Sequence, residues 1–362
     1  MKHSYILILF LLLTACANTQ VVGTGKVLKL HDSERTHYIS LSDVFEPLKT
    51  IPLDNCNESI LKNIRKVEFV DSCYYILGGD TKSCVFVFDG DGRFLRRIGT
   101  QGNGKGEYLS AWDFTVDKEN GRVVILSAPS QVYIYSTEGT FIESHKLGKA
   151  YCWNITDTET GFVCSTKHCT YTSGDNAYLL YFFDKDFHVK EKKISVLPHQ
   201  IYKPTFVSSV FFSNQGKQYY VDNFLDEVYD LSTIESGEGA YSISLSNPMP
   251  TENFKSVQVF SDNQRKYDFL KDVLLLDDKA VFVYIQNAQN CVETMTLSGK
   301  PLIHGCFSGN FPKMFTDGNG NALLCVSAYS FLKNNMEVFL PSLHGKVKAS
   351  DNYILVKCKL KE

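Results

Sequence analysis

The glycine-rich stretch from Gly99 to Gly106 (GTQGNGKG) has the composition of a loop that could hold a phosphate group. Dinucleotide-binding and nucleotide-binding loops, however, lie between a strand and a helix, and the latter contain a Gly-Lys-Ser/Thr sequence. Here the loop leads into Trp112-Asp-Phe-Thr-Val, whose alternation predicts a strand. We therefore interpret it as a connection between strands, in which glycine permits unusual φ angles, and we expect no cofactor.

Two aspartate-containing turns, Asp89 to Gly92 and Asp317 to Asn321, resemble the start of a calcium loop. An EF-hand needs an oxygen ligand at its fifth position and a glutamate at its twelfth. The first stretch has Arg93 and Thr100 at these positions, and the second ends with Ala328. Both stretches therefore predict hairpin turns.

The other residue types that could do chemistry show no recognised spacing. The nine histidines form no His-x-His or His-x-x-x-His pair, and no Gly-x-Ser-x-Gly nucleophile sequence occurs. We therefore assign no catalytic and no metal-binding residue. A constellation assembled from distant segments remains open, because such a site leaves no local motif.

Short runs of alternating apolar residues, separated by turn residues, recur along the chain. The first copy predicts four strands: Val67 to Val70, Tyr74 to Leu77, Val85 to Asp89 and Phe94 to Ile98. The pattern returns at 113–144 and, in weaker form, at about 153–194, 206–245, 267–305 and 313–358. Such a unit cannot bury both faces alone, so its recurrence predicts an all-β fold, a six-bladed β-propeller of four-stranded antiparallel blades.

Residues 37–53 contain two further strand-like runs before the first copy. We expect them to complete the last blade, so that N-terminal and C-terminal strands pair and close the ring. Closure would remove the open sheet edges that otherwise promote aggregation.

The stretch from Phe88 to Tyr108 (FDGDGRFLRRIGTQGNGKGEY) resembles the signature of NHL-type six-bladed β-propellers, and most closely the propeller lipoproteins abundant in Bacteroidetes. The resemblance extends over essentially the whole chain. It implies a six-bladed ring and an exported location. It supplies no agreed set of functional residues, so none is transferred.

The first sixteen residues resemble a bacterial lipoprotein signal. Lys2 precedes an apolar run, Ile6 to Leu13, that is too short for the ~20 residues of a membrane-spanning helix. Leu13-Thr-Ala-Cys16 resembles a lipobox, which implies lipidation at Cys16, and Ala17 resembles the residue that follows in lipoproteins sent to an outer membrane. We expect a signal peptide over 1–15, a lipidated tether over 16–35 and one propeller domain over 36–362. A periplasm-facing location is favoured, with the cell surface as the alternative.

Composition limits the partners and the cysteine chemistry. The net charge is −3 without a Lys/Arg stripe, which argues against nucleic acid as a partner. Ten cysteines besides Cys16 lie mostly inside strand-like runs. We favour buried thiols, since cysteine packs as a small hydrophobic residue, and a disulfide framework stays open for an exported protein.

In a propeller, the connections that lead into the innermost strands cluster at one end of the central channel. Arg65, Trp112, Trp153 and Lys271 lie at these positions and are our candidate ligand-binding residues. Tryptophan beside cations suits sugars or aromatic groups. The alternative is that both tryptophans pack between blades. Three segments that interrupt the repeat, 195–206, 246–266 and 329–352, could form a rim for a partner or be tolerated insertions.

We interpret the chain as a lipid-anchored, non-catalytic module of the cell envelope that binds an envelope protein or a saccharide. The alternative is a hydrolase or lyase that acts on a sugar, lactone or peptide end at the central channel, an analogy that rests on the fold alone.

Overall fold

A computed structural model describes residues 25–32, 37–79, 83–127, 130–148, 151–166, 178–196, 210–234, 239–334 and 336–362. The predicted signal peptide, Cys16 and the first part of the predicted tether lie outside these residues. No helix in the described ranges has the length and hydropathy to cross a membrane.

The described residues form six sheets of four or five strands, in which strands that follow one another in the sequence pair antiparallel; three of these sheets also include one strand from the N-terminal segment. These sheets are the blades of a six-bladed β-propeller, as predicted. The first blade contains β4 (Ile64–Val70), β5 (Cys73–Gly78), β6 (Cys84–Asp89) and β7 (Phe94–Ile98), after the N-terminal strands β1 (Lys26–Lys29), β2 (Tyr38–Ile39) and β3 (Phe45–Pro52) and the one-turn helix α1 (Leu41–Val44).

The second and third blades follow the same plan. A two-stranded parallel pair, β8 (Thr100–Gln101) and β9 (Glu107–Tyr108), leads into β10 (Ala111–Asp117), β11 (Arg122–Ser127), β12 (Gln131–Ser136) and β13 (Phe141–Lys146). The third blade contains β14 (Asn154–Thr158), β15 (Gly161–Ser165), β16 (Tyr178–Phe183) and β17 (Val189–Ser195).

The remaining blades use N-terminal strands as additional or closing strands. The fourth contains β18 (Phe211–Asn214), β19 (Lys217–Asp222), β20 (Glu227–Asp230) and β21 (Tyr241–Ser244). After a 3-10 turn (Thr251–Phe254) and α2 (Val257–Asn263), the fifth contains β22 (Phe269–Leu276), β23 (Lys279–Gln286), β24 (Gln289–Thr296) and β25 (Pro301–Phe307). The sixth contains β26 (Lys313–Thr316), β27 (Ala322–Ser327) and β28 (Tyr353–Leu360), with α3 (Ala328–Lys333) and two 3-10 turns (Met336–Val338 and Pro341–Leu343) between the last two strands.

The strands arise where β-branched and aromatic residues alternate, and hairpin chemistry separates them as expected. Asp71 and Ser72, both with positive φ, form the two-residue turn between β4 and β5. Gly92 has φ +87°, and a Cβ there would lie 2.3 Å from the carbonyl oxygen of Pro52. Glycine at this turn therefore allows the first blade to approach the closing strand.

The ring closes through β3, which pairs antiparallel with β28 from Phe45–Leu360 to Pro52–Ile354. The predicted use of residues 37–53 in the last blade is thus correct for β3. The preceding strand β2 instead pairs in parallel with β25 of the fifth blade.

The predicted tether is shorter than expected, because Lys26–Lys29 forms a strand. This strand, β1, adds in parallel to the outer edge of the fourth blade through β21, and Leu28 is fully buried there. His31 and Asp32, shortly after β1, contact the fifth blade. Glu293 Oε1 lies 2.6 Å from His31 Nδ1, and Asp32 accepts a hydrogen bond from the side chain of Gln286. The N-terminal segment therefore covers the edges of three blades in succession before the first repeat begins.

The described cysteines are all free thiols, six of them buried. Burial raises the pKa of Cys358 to about 12 and raises that of Cys325 further. Thiols of this kind pack as apolar groups, which agrees with the favoured interpretation for six of the nine described cysteines; Cys73 and Cys84 are half-buried and Cys56 is exposed. Cys169 lies outside the described residues.

We predict that Ile51→Ala in the closing strand lowers the free energy of unfolding by about 2–5 kcal/mol. Ile51 is 1% exposed and belongs to the apolar cluster that joins the last and first blades. The matched control is Leu48→Ala in the same strand, where the side chain is 45% exposed and the change should stay within about 0.5 kcal/mol. Urea unfolding measures both variants, and equal losses would contradict this account of ring closure.

Candidate functional site

The innermost strands β4, β10, β14, β18, β22 and β26 surround the central channel, and each runs from one end of it to the other. We call the end at which they begin the loop face and the end at which they finish the turn face. The connections between blades reach the loop face, among them 245–268, and so does the insertion 328–352 between β27 and β28. The turn face has short hairpins such as Asp71–Ser72. Most of the predicted rim segment 195–206 lies outside the described residues.

All four predicted site residues lie at the loop face, and three of them occupy the same special position. Arg65, Trp112 and Lys271 are the extra residues of β-bulges near the start of β4, β10 and β22, where the register shifts. A β-bulge re-aims a side chain and increases the local twist, and bulges are frequent beside active sites. Trp153 directly precedes β14, and its main-chain N–H donates a hydrogen bond to the main-chain carbonyl of Ser165.

Hydrogen bonds connect this position from blade to blade. In the sixth blade, Lys313 Nζ donates to the carbonyl of Ile64 over 2.8 Å. The guanidinium of the next residue, Arg65, donates to the carbonyl of Ala111, which is followed by Trp112. The structure thus brings Arg65, Trp112 and Trp153 together in one arc, with Lys313 at its end. Lys271 follows from the fifth blade, where its Nζ donates to Asn290 Oδ1 over 3.0 Å.

Three aromatic rings form the other half of the arc. Trp112 and Trp153 stack across the boundary of the second and third blades, with ring centroids 4.5 Å apart and an interplanar angle of 12°. Tyr151 contacts both rings, at 5.4 Å from Trp112 and 5.6 Å from Trp153. All three residues are half-buried. The tryptophans therefore do pack between blades, and they also present a partly exposed aromatic surface at the channel end.

Between this arc and the turn face, a network of buried ion pairs crosses the channel. Lys66 Nζ lies 3.0 Å from Glu68 Oε1 and 3.5 Å from Asp113 Oδ1, and it donates to the carbonyls of Phe114 and Ile155. Burial disfavours the charged ammonium, but Asp113 and Glu68 outweigh it and raise the pKa of Lys66. Lys66 therefore stays charged and joins the first three blades.

The carboxylates of this layer are occupied by structural hydrogen bonds. Asp113 accepts from the N–H groups of Phe114 and Ile155 and from the Asn154 amide. Glu68 accepts from the N–H of Val116 over 2.8 Å. Burial raises the pKa of Glu68, and Lys66 opposes that rise. These acids fix the position of neighbouring innermost strands relative to one another.

The channel also contains a cavity of about 230 Å³ that extends from the Lys66 layer toward the turn face. Its walls are mixed, with phenylalanines beside charged groups; they include Phe69, Phe211, Phe315, Lys118 and Asp157. Burial raises the pKa of Asp157 to about 6, although Lys185 Nζ, 3.1 Å away, opposes the rise. None of the four predicted site residues lines this cavity.

At the loop face, the connection 245–268 folds over the fourth and fifth blades. Phe254 and Phe260 pack on Phe224 and Phe269 in a small apolar cluster of their own. Ser256 caps α2 by accepting from the N–H of Val259. One of the segments predicted to interrupt the repeat is therefore an ordered part of the rim.

Among the described residues, one group of three side chains could hold a metal ion: Asp184, Asp186 and His188. It lies in the exposed hairpin between β16 and β17, away from the channel. Asp184 accepts there from the N–H groups of Asp186 and His188, as turn-forming aspartates do. We interpret the group as a hairpin turn.

Two side chains of the arc were missed in the sequence, namely Tyr151 and Lys313. Lys313 begins the innermost strand of the sixth blade, and Arg65 and Lys271 lie near the start of the corresponding strands of the first and fifth, so alignment of the repeats could have indicated it. Tyr151 lies two residues before Trp153, a spacing that places both rings on one side of an extended chain.

Comparison with known proteins identifies the fold and a family. The sequence profile of a family described as "domain of unknown function (DUF4934)" matches residues 26–359. A candidate exported protein from Bacteroides fragilis NCTC 9343 has a crystal structure similar to this chain, with a TM-score of 0.75 and 16% identity over 93% of this chain and 100% of that chain. A member of the DUF4221 family from Bacteroides vulgatus has a TM-score of 0.57 and 7% identity over 88% and 99%. No curated protein matches the chain.

We predict that Lys66→Met destabilises the propeller by about 3–5 kcal/mol at pH 8, since it leaves buried carboxylates without their cation. Without Lys66, the folded-state pKa of Glu68 rises further above its unfolded value, so the variant loses stability as the pH increases. The deficit should therefore be smaller at pH 5 than at pH 8. Urea unfolding at both pH values measures it.

The control is Lys118→Met at the turn face, directly after β10. The Lys118 side chain is 69% exposed and forms an ion pair with the exposed Asp71. An exposed pair contributes about 0–1 kcal/mol. A deficit of Lys66→Met that equals the control, or that does not change with pH, would contradict the network described above.

Proposed function

The chain belongs to the DUF4934 family, and we propose that this member is a non-catalytic ligand-binding module of the cell envelope, held at a membrane by a lipid on Cys16. The observation that supports binding is the arc at the loop face. Side chains from five consecutive blades lie there around one end of the channel, those of four blades linked by contacts, and three of them are on bulged strands. Bulges at equivalent positions in separate blades favour a shared task over independent packing.

The arrangement favours binding over catalysis because the acids of the channel are already engaged. Asp113 and Glu68 form ion pairs with Lys66 and accept hydrogen bonds from main-chain N–H groups. A general acid or base must instead reach a substrate proton directly or through one water molecule. Aromatic surface and cations at a channel end are the elements of a recognition site.

Export and anchoring are supported by the N-terminal sequence. Lys2, the apolar run Ile6 to Leu13 and the lipobox-like Leu13-Thr-Ala-Cys16 follow the order of a lipoprotein signal. The fold of the candidate exported protein from Bacteroides fragilis agrees with such a location. With β1 beginning at Lys26, about ten residues remain between Cys16 and the propeller, and these span at most ~35 Å. The propeller would thus lie close to the membrane surface, facing the periplasm if the protein is sorted as Ala17 suggests.

The binding proposal can be tested with intrinsic fluorescence, because Trp112 and Trp153 are the two tryptophans of the chain. We predict that a ligand of the loop face changes the tryptophan emission and that Trp112→Ala weakens its binding by about tenfold. A panel of soluble saccharides and short peptides titrated against the purified propeller measures this. As a control, Phe69→Leu on the turn-face cavity should leave the affinity unchanged. A ligand that binds without affecting either tryptophan would place the site elsewhere.

The anchoring proposal predicts that Cys16→Ser abolishes labelling by radioactive palmitate and moves the protein from the membrane fraction to the soluble fraction of the cell. The lipid requires the Cys16 thiol, and a serine hydroxyl cannot form the thioether. The control is Cys56→Ser, which removes the exposed thiol of the folded domain and should keep both label and membrane association. Palmitate label retained in Cys16→Ser would show that this cysteine is not the lipidation site.

A further inference from the structure

The three cations of the loop face, Arg65, Lys271 and Lys313, have only neutral polar partners among the described residues. Arg65 donates to the carbonyl of Ala111, and its buried Nε has no hydrogen-bond partner in the described ranges. Lys271 bonds to the amide oxygen of Asn290. Lys313 bonds to the carbonyl of Ile64 and to Asn63 Oδ1. Each of the three charges is thus held in place by hydrogen bonds to neutral groups.

The acids near these cations are already shared. Asp113 attracts both Lys66 and Arg65, and Asp272 attracts both Lys271 and Lys313. Burial lowers the pKa of Lys271, an effect that Asp272 opposes in part. From the Lys66 layer to the loop face, the innermost strands carry four cations (Arg65, Lys66, Lys271 and Lys313) and three carboxylates (Glu68, Asp113 and Asp272). These strands therefore have an excess of one positive charge at this end of the channel, whereas the acids of the fourth blade at the same face, Asp222, Asp226 and Glu227, lie on its second and third strands and the turn between them.

Partly desolvated cations that share too few carboxylates favour a negatively charged ligand, because attraction strengthens as water is excluded. A guanidinium presents donors in a planar fork that matches a carboxylate, and an ammonium adds a point charge beside it. Arg65 and Lys313 stand next to each other in this way: Lys313 Nζ bonds to the residue before Arg65, and desolvation together with the Arg65 charge lowers the pKa of Lys313.

The aromatic cluster lies directly beyond Arg65 along the arc. Trp112 follows the residue whose carbonyl Arg65 binds, and Trp153 and Tyr151 extend the surface. A flat apolar surface adjoining a cationic one matches a ligand that has a ring at one end and a charge at the other. The site is thus complementary to a cyclic compound that carries a carboxylate.

We infer that the loop face binds a small carboxylate-bearing ring compound, its carboxylate at Arg65 and Lys313 and its ring on the surface of Trp112. This inference rests on the proposed binding function and adds the chemical class of the ligand. The ring could belong to an acidic sugar or to an aromatic acid, which share the carboxylate and differ in the ring.

A first experiment tests the local charge with iodide and acrylamide as quenchers of the tryptophan emission. The anion should be concentrated at the loop face, so that Arg65→Gln/Lys313→Gln lowers the ratio of iodide to acrylamide quenching by about two- to threefold. Lys118→Gln on the turn face removes one charge from the same ring and should leave the ratio unchanged. If the double variant fails to fold, the single variant Lys313→Gln, which changes an exposed side chain, should lower the quenching ratio in the same direction by a smaller factor. A ratio that does not respond to these changes overturns the inference.

A second experiment titrates the protein with D-galacturonate, D-galactose and benzoate, again through the tryptophan emission. An acidic sugar is supported if the dissociation constant for galacturonate is at least about tenfold below that for galactose and if this difference disappears in the Arg65→Gln/Lys313→Gln variant. The same preference for benzoate supports an aromatic acid. Binding of galactose with equal affinity overturns the anionic class while the proposed binding function survives. Absence of a response to both acids overturns the inference.

Discussion

The whole molecule depends on the closure of its ring by a strand from the far end of the chain. A propeller blade exposes an edge on its outer side and needs a neighbour on each face, so the last blade must be completed and joined to the first. The closing strand β3 meets this need by pairing with β28, and Ile51 joins the last blade to the apolar cluster of the first. The strands β1 and β2 add to the edges of the fourth and fifth blades on the way. Closure thus stabilises the frame on which every channel residue is held.

Within that frame, a single buried cation sets the spacing of the first three blades. Lys66 reaches from the first blade to carbonyl groups of the second and third and is compensated by acids on the first and second. Such networks cost desolvation energy, which is recovered only when every member is satisfied. Here the remaining lone pairs of Asp113 accept main-chain N–H groups of the neighbouring strand. The network therefore fixes the register between blades and separates the loop face from the turn-face cavity.

The two ends of the channel differ in how they are built. The turn face is made of short hairpins that the strand geometry requires, whereas the loop face combines the bulged residues with an ordered rim built around Phe254 and Phe260. Loops held on a rigid scaffold are where binding residues concentrate. Cations that donate hydrogen bonds to neutral groups lie at this end beside an aromatic cluster, and the proposed binding function rests on that combination.

The sequence by itself determined the architecture, because alternation and turn chemistry are local properties. The copies at 67–98 and 113–144 could be recognised from residues such as Asp71, Ser72 and Gly92, and the need to cover sheet edges indicated the role of β3. It also indicated Arg65, Trp112, Trp153 and Lys271 by their place at the start of innermost strands. It did not reveal the strand at Lys26–Lys29, since a short polar run shows its partner only once the edge of β21 is in position. Nor did it show which groups Lys66, Tyr151 and Lys313 contact in neighbouring blades, because those contacts join residues tens to hundreds of positions apart. Which charges meet across blades is decided by the tertiary structure alone, since charge pairing depends on distance in space and periodicity reports only distance along the chain.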